Sequence, residues 1–278
     1  MKNFRGSAFI LAACIFWSTS GAFSKFIAVN GPLMSFWRAL FATLVLLPFL
    51  TRGKMKFRPS MLGMMACFAL MNVAFVTAMT FTTAANVIFL QYTAPLFIAV
   101  ASPLFGEAFE RENTLPLLIG LGGVGILMWG SDLKDWGVWL ALLSGVSYAG
   151  VALFLRRFRH DDSVFLTFLN HAGSAASVGV VLYFLHLPLL LPSTKLWLLF
   201  FFGSIQMALP YLLFAHGLKS VPAQQAGVLS LLEPLLNPLV TFMVVGEIPT
   251  TQTWIGGIFL LGGVALQVWR SARRAALT

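Results

Sequence analysis

The sequence predicts an all-α membrane protein of ten transmembrane helices, arranged as a 5+5 inverted repeat with both termini in the cytoplasm. The composition, the spacing of apolar segments and a match of the chain with itself predict this fold class. Of the 278 residues, 59% are hydrophobic and 10% are charged, and the mean hydropathy is +0.87. Soluble globular proteins carry about 25% charged residues, so a soluble enzyme and a disordered chain are excluded. The two cysteines, Cys14 and Cys67, both lie in apolar runs and predict neither a disulfide framework nor a metal site.

Ten apolar segments, separated by glycine, proline and charged residues, have the length that a membrane-spanning helix needs, about 20 residues. The connections between them are short, so no soluble domain is inserted. The predicted spans are residues 6–28, 32–50, 60–80, 84–105, 114–130, 136–156, 163–187, 194–218, 223–245 and 252–270.

The distribution of positive charge predicts the orientation. The chain has 18 Lys and Arg against nine Asp and Glu, for a net charge of +9. If the N-terminus is cytoplasmic, all basic residues but four face the cytoplasm, as the positive-inside rule requires. The four others are Lys25, Arg38, Lys134 and Lys195. Because the excess of positive charge follows this rule, we interpret it as a sign of topology and expect no nucleic-acid partner.

The chain matches itself at a shift of 139–140 residues, which divides it into repeats at residues 1–135 and 136–278. The matched pairs are Phe75 with Phe214, Ala84 with Ala223, Pro95 with Pro234, Gly106-Glu107 with Gly246-Glu247, and Gly122-Gly123-Val124 with Gly262-Gly263-Val264. Five spans per repeat, an odd number, mean that the second repeat enters the membrane from the opposite side. Inverted repeats are typical of secondary transporters, whose substrate site lies near the midplane between the halves.

The two repeats resemble copies of the EamA repeat. The first runs from Pro95-Leu96 through Gly106-Glu107 to Gly122-Gly123-Val124, and the second runs from residues 230–235 through Gly246-Glu247 to Gly262-Gly263. The resemblance covers nearly the whole chain and implies a member of the drug/metabolite transporter superfamily. That family mostly exports amino acids and other small metabolites from bacteria, often driven by proton movement. Together with the charge bias, it implies a multi-pass protein of the bacterial inner membrane.

Two charged residues lie well inside predicted spans. Arg38 is about six residues into span two, roughly 9 Å deep, and Glu233 is about ten residues into span nine, roughly 15 Å deep. Arg38 is either an anion-binding or gating group or a structural arginine. Glu233 is either the proton-coupling residue or a carboxyl that locks span nine to its neighbours, and the two residues are candidates to pair in one state of the cycle. Lys25, nearer the end of span one, is expected to extend outward to the membrane surface.

Three prolines inside spans are candidate hinges: Pro95, Pro210 and Pro234. Each removes one backbone donor and frees a carbonyl four residues earlier. These carbonyls belong to Gln91, Gln206 and Ser230. The alternative is a set of fixed kinks needed only for packing.

Polar and amphipathic side chains in spans one to four and six to eight suggest a polar interior that binds substrate. Taken singly, each is more often a helix–helix hydrogen bond than a ligand contact. The candidate substrate-binding residues are Trp17, Ser18, Arg38, Asn72, Gln91, Tyr92, Tyr148, His171, Gln206 and Tyr211.

Spans five and ten contribute almost no polar side chains and are glycine-rich, so they serve either as scaffold or as a dimer face. The segment from Gly120 to Gly125 fits G-x-G-x-x-G, a pattern that binds dinucleotides only in a βαβ unit. Inside an apolar span its small residues indicate close helix packing. No bound cofactor or metal is therefore expected.

The predicted function is secondary active transport of small metabolites, with amino acids the favoured class, by alternating access and with proton coupling. The expected partners are a small-molecule substrate, the lipid bilayer and protons, and the chain is a monomer or a homodimer. The chain has no Walker motif, no H-E-x-x-H and no G-x-S-x-G, so we expect neither a nucleotide-driven motor nor an enzyme. The alternatives are a passive facilitator or channel and a membrane receptor that does not transport.

Overall fold

The computed structural model describes residues 2–105, 114–129, 134–158, 160–217, 219–220, 229–230 and 232–275, and all regular secondary structure within them is helical. The α-helices are α1 Lys2–Trp17, α2 Ser20–Ile27, α3 Gly31–Leu46, α4 Met61–Phe81, α5 Ala84–Gln91, α6 Ala94–Ala101, α7 Thr114–Trp129, α8 Trp136–Arg157, α9 Ser163–Phe184, α10 Ser193–Phe201, α11 Leu209–Gly217, α12 Leu232–Val245 and α13 Thr251–Ala275. A π-helix, Phe202–Ala208, joins α10 to α11. The first Gly-Glu pair of the repeat, at residues 106–107, lies outside the described residues.

The described α-helices stay within the predicted apolar segments or extend beyond them by about five residues at most, the largest extensions being α1, which begins at Lys2, and α13, which ends at Ala275. Within the described residues, six helical segments, some of which join neighbouring helices, are long and apolar enough to cross a membrane, and three shorter apolar helices accompany them. The six are Arg5–Ile27, Gly31–Phe49, Met61–Phe81, Trp136–Leu155, Ser163–Phe184 and Ser193–Gly217. The chain is therefore a multi-pass membrane protein.

Several predicted spans are interrupted, and side chains near the breaks bond to backbone carbonyls. Between α1 and α2 the Ser18 hydroxyl donates to the Cys14 carbonyl at 2.6 Å, and the Thr19 hydroxyl donates to the Phe16 carbonyl at 2.6 Å. Between α5 and α6 the Thr93 hydroxyl donates to the Leu90 carbonyl at 2.7 Å. Hydroxyl groups that bond locally to backbone offer the chain an alternative to the helical ladder.

The three candidate hinge prolines all lie within the first three residues of a described helical segment. Pro95 is the second residue of α6, Pro210 the second of α11 and Pro234 the third of α12. A proline is tolerated in a first turn because its missing N–H would have no partner within that turn. Pro210 instead lies just after the end of the π-helix. The wider turns of that helix come just before proline, which has no backbone N–H to donate to the helical ladder.

Helices α7 and α13, one from each predicted repeat, pack with their backbones in direct contact. A Cβ built on Gly123 would lie 2.5 Å from the Leu260 amide nitrogen and 2.7 Å from the Gly256 carbonyl oxygen. A Cβ on Gly263 would lie 2.7 Å from the Gly120 amide nitrogen. Glycine is therefore required for this approach, as in other membrane helix pairs. The packing interpretation of the G-x-G-x-x-G pattern is confirmed, because its residues lie within α7.

Helix α5 runs through the interior of the bundle. All eight of its residues, from Ala84 to Gln91, are buried. A helix buried on every side is surrounded by other helices. Its C-terminal residue, Gln91, reaches the cavity described next.

Candidate functional site

A cavity of about 40 Å³ lies between helices of both predicted repeats. Helices α1 to α5, from the first predicted repeat, contribute some of the lining side chains. Helices α8, α11 and α12 and the π-helix, from the second, contribute the others. The lining residues are Trp17, Ser20, Arg38, Met71, Asn72, Phe75, Gln91, Tyr148, Gln206, Met207, Tyr211 and Glu233. Eight of these twelve are residues that the sequence singled out.

Three predicted residues do not line this cavity. The Ser18 hydroxyl, in the break after α1, bonds to the Cys14 carbonyl of that helix, so its described role is local. Tyr92 lies behind the lining and reaches Glu233 with its hydroxyl. The His171 ring packs edge-on against Phe68, with centroids 4.8 Å apart, and Tyr211, at 5.5 Å.

Arg38 of α3 is buried, with 3% of its surface exposed, and touches the cavity without an acidic partner. Its Nε donates to Asn72 Oδ1 at 2.8 Å, and its guanidinium carbon lies 4.9 Å from the centroid of the Phe202 ring. Its Nη1 is buried and has no hydrogen-bond partner among the described residues. None of the ion pairs within the described part of the chain includes Arg38.

Asn72 of α4 is held in one orientation by its own hydrogen bonds. Its Nδ2 donates to Ser174 Oγ at 2.9 Å and to the Ser35 carbonyl at 3.3 Å. Because both amide hydrogens are engaged, the amide oxygen must face Arg38. Asn72 therefore fixes the guanidinium through helices α3, α4 and α9.

Glu233 of α12, in the second predicted repeat, is buried and forms a hydrogen bond with Tyr92 of the first predicted repeat. The Tyr92 hydroxyl donates either to the Ser230 carbonyl, at 2.7 Å, or to Glu233 Oε2, at 3.0 Å. The Ser230 carbonyl is the one that Pro234 deprives of its helical donor. A phenol has only one proton to donate, so the two acceptors compete for it. The bond from Tyr92 thus links the protonation of Glu233 to a contact between the repeats.

Arg38 and Glu233 line the same cavity but are not in ion-pair contact in this structure. Arg38 donates to Asn72 of α4, and Glu233 accepts from Tyr92, the residue that follows α5. The site therefore presents one cationic and one acidic group, carried by different helices. Between them the lining combines amides, phenols and apolar side chains.

Aromatic packing surrounds the cavity at the end of α1. The Trp17 ring meets the Tyr211 ring edge-on at 5.0 Å, and it lies 5.2 Å from Phe214. Gln206 Nε2 donates to the Trp17 carbonyl at 3.4 Å, where the helix ends before the Ser18–Thr19 break. The break in span one therefore gives Gln206 a backbone acceptor beside the cavity.

A second contact between the repeats lies at the C-terminal end of α2. Lys25 Nζ lies 3.1 Å from Glu247 Oε2 and donates to the Thr82 carbonyl at 2.7 Å. The Ala84 amide, at the start of α5, donates to Glu247 Oε1 at 2.6 Å. Lys25 was expected to extend outward to the membrane surface, and the structure adds that Glu247 and Thr82 together hold its ammonium group.

Gly246 explains how Glu247 reaches this contact. Its φ of +72° is left-handed, a conformation that glycine adopts without strain, and its N–H bonds to the Phe242 carbonyl at 2.9 Å. Helix α12 therefore ends at this point and the next side chain turns toward α5. Gly246-Glu247 was recognised in the sequence only as a mark of the repeat. A glycine that ends a helix, followed directly by an acidic residue, was the pattern that could have indicated this contact.

Comparisons with known proteins agree along the whole chain. The model of the EamA-like transporter family matches residues 4–129 and again residues 135–269. A protein of Archaeoglobus fulgidus named as an uncharacterized transporter is 31% identical over 268 residues, covering 95% of this chain and 96% of the relative. The uncharacterized transporter YwfM of Bacillus subtilis is 26% identical over 283 residues, covering 94% of this chain and 93% of the relative. A solved crystal structure with 17% identity has a TM-score of 0.69 and covers 96% of this chain and 98% of that chain, so the two share a fold.

Proposed function

Because the chain belongs to the EamA-like transporter family, we propose that it is a secondary active transporter that exports small metabolites, most favourably amino acids, by alternating access with proton coupling. In this proposal ten helices cross a bacterial inner membrane, both termini are cytoplasmic, and residues 1–135 and 136–278 form inverted repeats. The family and the membrane-spanning helices are established by the observations above. The number and orientation of the spans, the bacterial inner membrane, the substrate, the direction and the coupling are proposed.

The observation that carries the proposal is the cavity between the two predicted repeats. Its walls hold one buried guanidinium, Arg38, and one buried carboxyl, Glu233, which do not neutralise each other. Buried ionisable groups inside a membrane are costly and mark substrate or ion pathways. A zwitterionic amino acid carries both charges that these groups can bind. Gln91 and Gln206 add hydrogen-bonding groups between them.

The size of the cavity supports alternating access. About 40 Å³ accommodates roughly three water molecules and is too small for an amino acid. A substrate therefore enters only if the surrounding helices move. The interrupted span beside Pro95, the π-helix before Pro210 and the helix that contains Pro234 are the proposed places for that movement, since broken helices are common at transporter binding sites.

Glu233 is the proposed proton site. It is the one acidic residue in the cavity lining, and its contact with Tyr92 bridges the repeats. Loss of a proton from Glu233 would change which acceptor the Tyr92 hydroxyl serves. Proton uptake and the contact between repeats would then be coupled.

The test is exchange of labelled amino acids and nucleosides in liposomes containing the purified protein, with and without a pH gradient. Glu233→Gln is compared with the parent and with Asp161→Asn, which removes a carboxylate from an ion pair with Arg58 outside the cavity. We expect saturable exchange that the gradient accelerates in the parent and in Asp161→Asn, and exchange without acceleration in Glu233→Gln. Gradient acceleration that persists in Glu233→Gln would exclude it as the proton site.

The same assay separates the alternatives. A passive facilitator or channel gives uptake that the pH gradient does not accelerate, and in a channel internal substrate does not stimulate it either. A receptor binds its ligand without moving it across the bilayer. In either case the carrier proposal is refuted.

A further inference from the structure

We propose that Arg38 anchors a single carboxylate group of the transported molecule and that Asn72 positions the guanidinium to receive it. This inference rests on the proposed transport function and narrows the substrate from small metabolites to monocarboxylates. On this basis the substrate carries one carboxylate, whereas its side chain is left open.

The first step is that Arg38 has a buried N–H group, which donates to no acceptor among the described residues. Its Nε is engaged by Asn72 Oδ1, and one face of the guanidinium lies against the Phe202 ring. The buried N–H group is on Nη1. A buried charged donor left without a partner is costly. A ligand that accepts from Nη1 would remove that cost.

The second step is charge matching. Asn72 and Phe202 are both uncharged, so neither neutralises the guanidinium. A buried arginine in a purely structural role pairs with an acid or with backbone carbonyls, and among the described residues Arg38 makes neither kind of contact, only the hydrogen bond to Asn72. One positive charge matches one negative charge. A dianion such as phosphate would leave a second negative charge in a cavity that already contains Glu233.

The third step is positioning. Asn72 cannot rotate its amide without losing its bonds to Ser174 and to the Ser35 carbonyl. The guanidinium is therefore held from the Nε side. A planar carboxylate suits the remaining Nη groups, since arginine and carboxylate form parallel charge-assisted hydrogen bonds.

The experiment compares matched compounds in the liposome exchange assay. Three sets are used, built on leucine, glutamine and phenylalanine, and each contains the amino acid, its primary amide and the corresponding decarboxylated amine. In the parent we expect at least one amino acid to exchange, and its amide and amine to exchange at least roughly tenfold more slowly. Equal or faster exchange of the amide or amine would overturn the carboxylate assignment while leaving the carrier intact. If no compound in any set moves, both this inference and the amino-acid proposal fail.

Asn72→Asp separates an anchoring role from a structural one. The new carboxylate would lie against Arg38 Nε and pair with the guanidinium internally, which would stabilise a structural arginine. If Arg38 anchors substrate, the internal carboxylate competes with it, and we expect KM for the amino acid to rise at least roughly tenfold while the protein still folds.

Asn86→Asp is the matched control and should keep the parent's KM, because Asn86 is also buried but bonds to Thr82 and Thr253, and none of these three residues lines the cavity. Arg38→Lys should retain more amino-acid exchange than Arg38→Gln, since it keeps the charge. A folded Asn72→Asp protein with the parent's KM would overturn the proposal. The parent's selectivity among the three compound sets decides it even if a variant does not fold.

Discussion

Replacing Gly123 by alanine should separate helices α7 and α13 and destabilise the protein. The added Cβ would lie 2.5 Å from the Leu260 amide nitrogen, 2.7 Å from the Gly256 carbonyl oxygen and 3.0 Å from the Leu260 Cα. Ordinary contacts between such atoms are about 3.5–4.0 Å, so the backbones must part by about 1 Å. All three neighbours are backbone atoms, and no change of rotamer can relieve the overlap. Overpacking of this kind costs about 1–3 kcal/mol.

Gly122 provides a matched control in the same helix. A Cβ built on it meets nothing within 4 Å. Alanine there is expected to stabilise the helix by about 0.5–1 kcal/mol, because glycine loses more backbone freedom on folding. The two variants should therefore differ in free energy of unfolding by about 1.5–4 kcal/mol, although they differ by one position.

The assay is thermal unfolding in detergent, followed with a dye that reacts with thiols. The native cysteines, Cys14 and Cys67, are both free, and neither lies in α7 or α13. We expect Gly123→Ala to unfold at least about 3 °C below Gly122→Ala. Equal unfolding temperatures, or a more stable Gly123→Ala protein, would refute the backbone contact as a determinant of stability.

Two other contacts give testable expectations. Glu247→Gln removes an ion pair that is partly exposed, so it should change the unfolding temperature little. We also expect this contact to hold α2, which carries the cavity-lining Ser20, against the start of α5 and so to limit access to the cavity. Glu247→Gln should therefore increase labelling of a cysteine introduced at Ser20 by a membrane-impermeant thiol reagent added outside, and labelling equal to the parent's would exclude a closing role. The double variant Lys25→Glu/Glu247→Lys should restore the parent's low labelling only in part, because the exchanged side chains cannot bond to the Thr82 carbonyl and the Ala84 amide. Tyr92→Phe takes a hydroxyl from Glu233 and from the proline-freed carbonyl, at an expected cost of about 1–3 kcal/mol in the same unfolding assay; an unchanged unfolding temperature would contradict that bond.

Helix positions could be predicted because a membrane requires long apolar segments. The predicted span 60–80 corresponds to Met61–Phe81, and the span 136–156 corresponds to Trp136–Arg157. The interruptions inside spans one and four could not be predicted in the same way. They depend on hydroxyl groups that bond to carbonyls of their own turn, and apolar periodicity does not register such bonds.

The polar and amphipathic residues of the cavity lining were predicted except for Ser20, whereas its three apolar residues were not. Polar groups inside a membrane are few and costly, so Arg38 and Glu233 were visible in the sequence. Met71, Phe75 and Met207 also line the cavity, but nothing distinguishes them in a chain that is 59% hydrophobic.

The partner of Lys25 could not be predicted from the sequence, for a different reason. Its partner Glu247 is far away in the sequence and was considered only as part of a repeat signature. Only the folded chain brings α2, the start of α5 and the end of α12 together. Ion pairs between the repeats are therefore beyond the reach of a local sequence pattern.

The repeats contact each other in two physically different ways, and this difference bears on the proposed movement. At α7 and α13 the two backbones are in direct contact. A side chain in place of Gly123 or Gly263 would overlap backbone atoms, which cannot move aside by a change of rotamer. Around the cavity the repeats are joined by polar bonds, of Tyr92 with the Ser230 carbonyl and of Asn237 with Ser20, and the end of α2 adds the ion pair of Lys25 with Glu247. Close glycine packing occurs here too, since a Cβ on Gly203 would lie 2.5 Å from the Arg38 carbonyl oxygen. Polar bonds exchange partners at small net cost, whereas interlocked backbones resist separation. An alternating-access cycle would therefore pivot about the glycine-packed helices and break the polar bonds in turn.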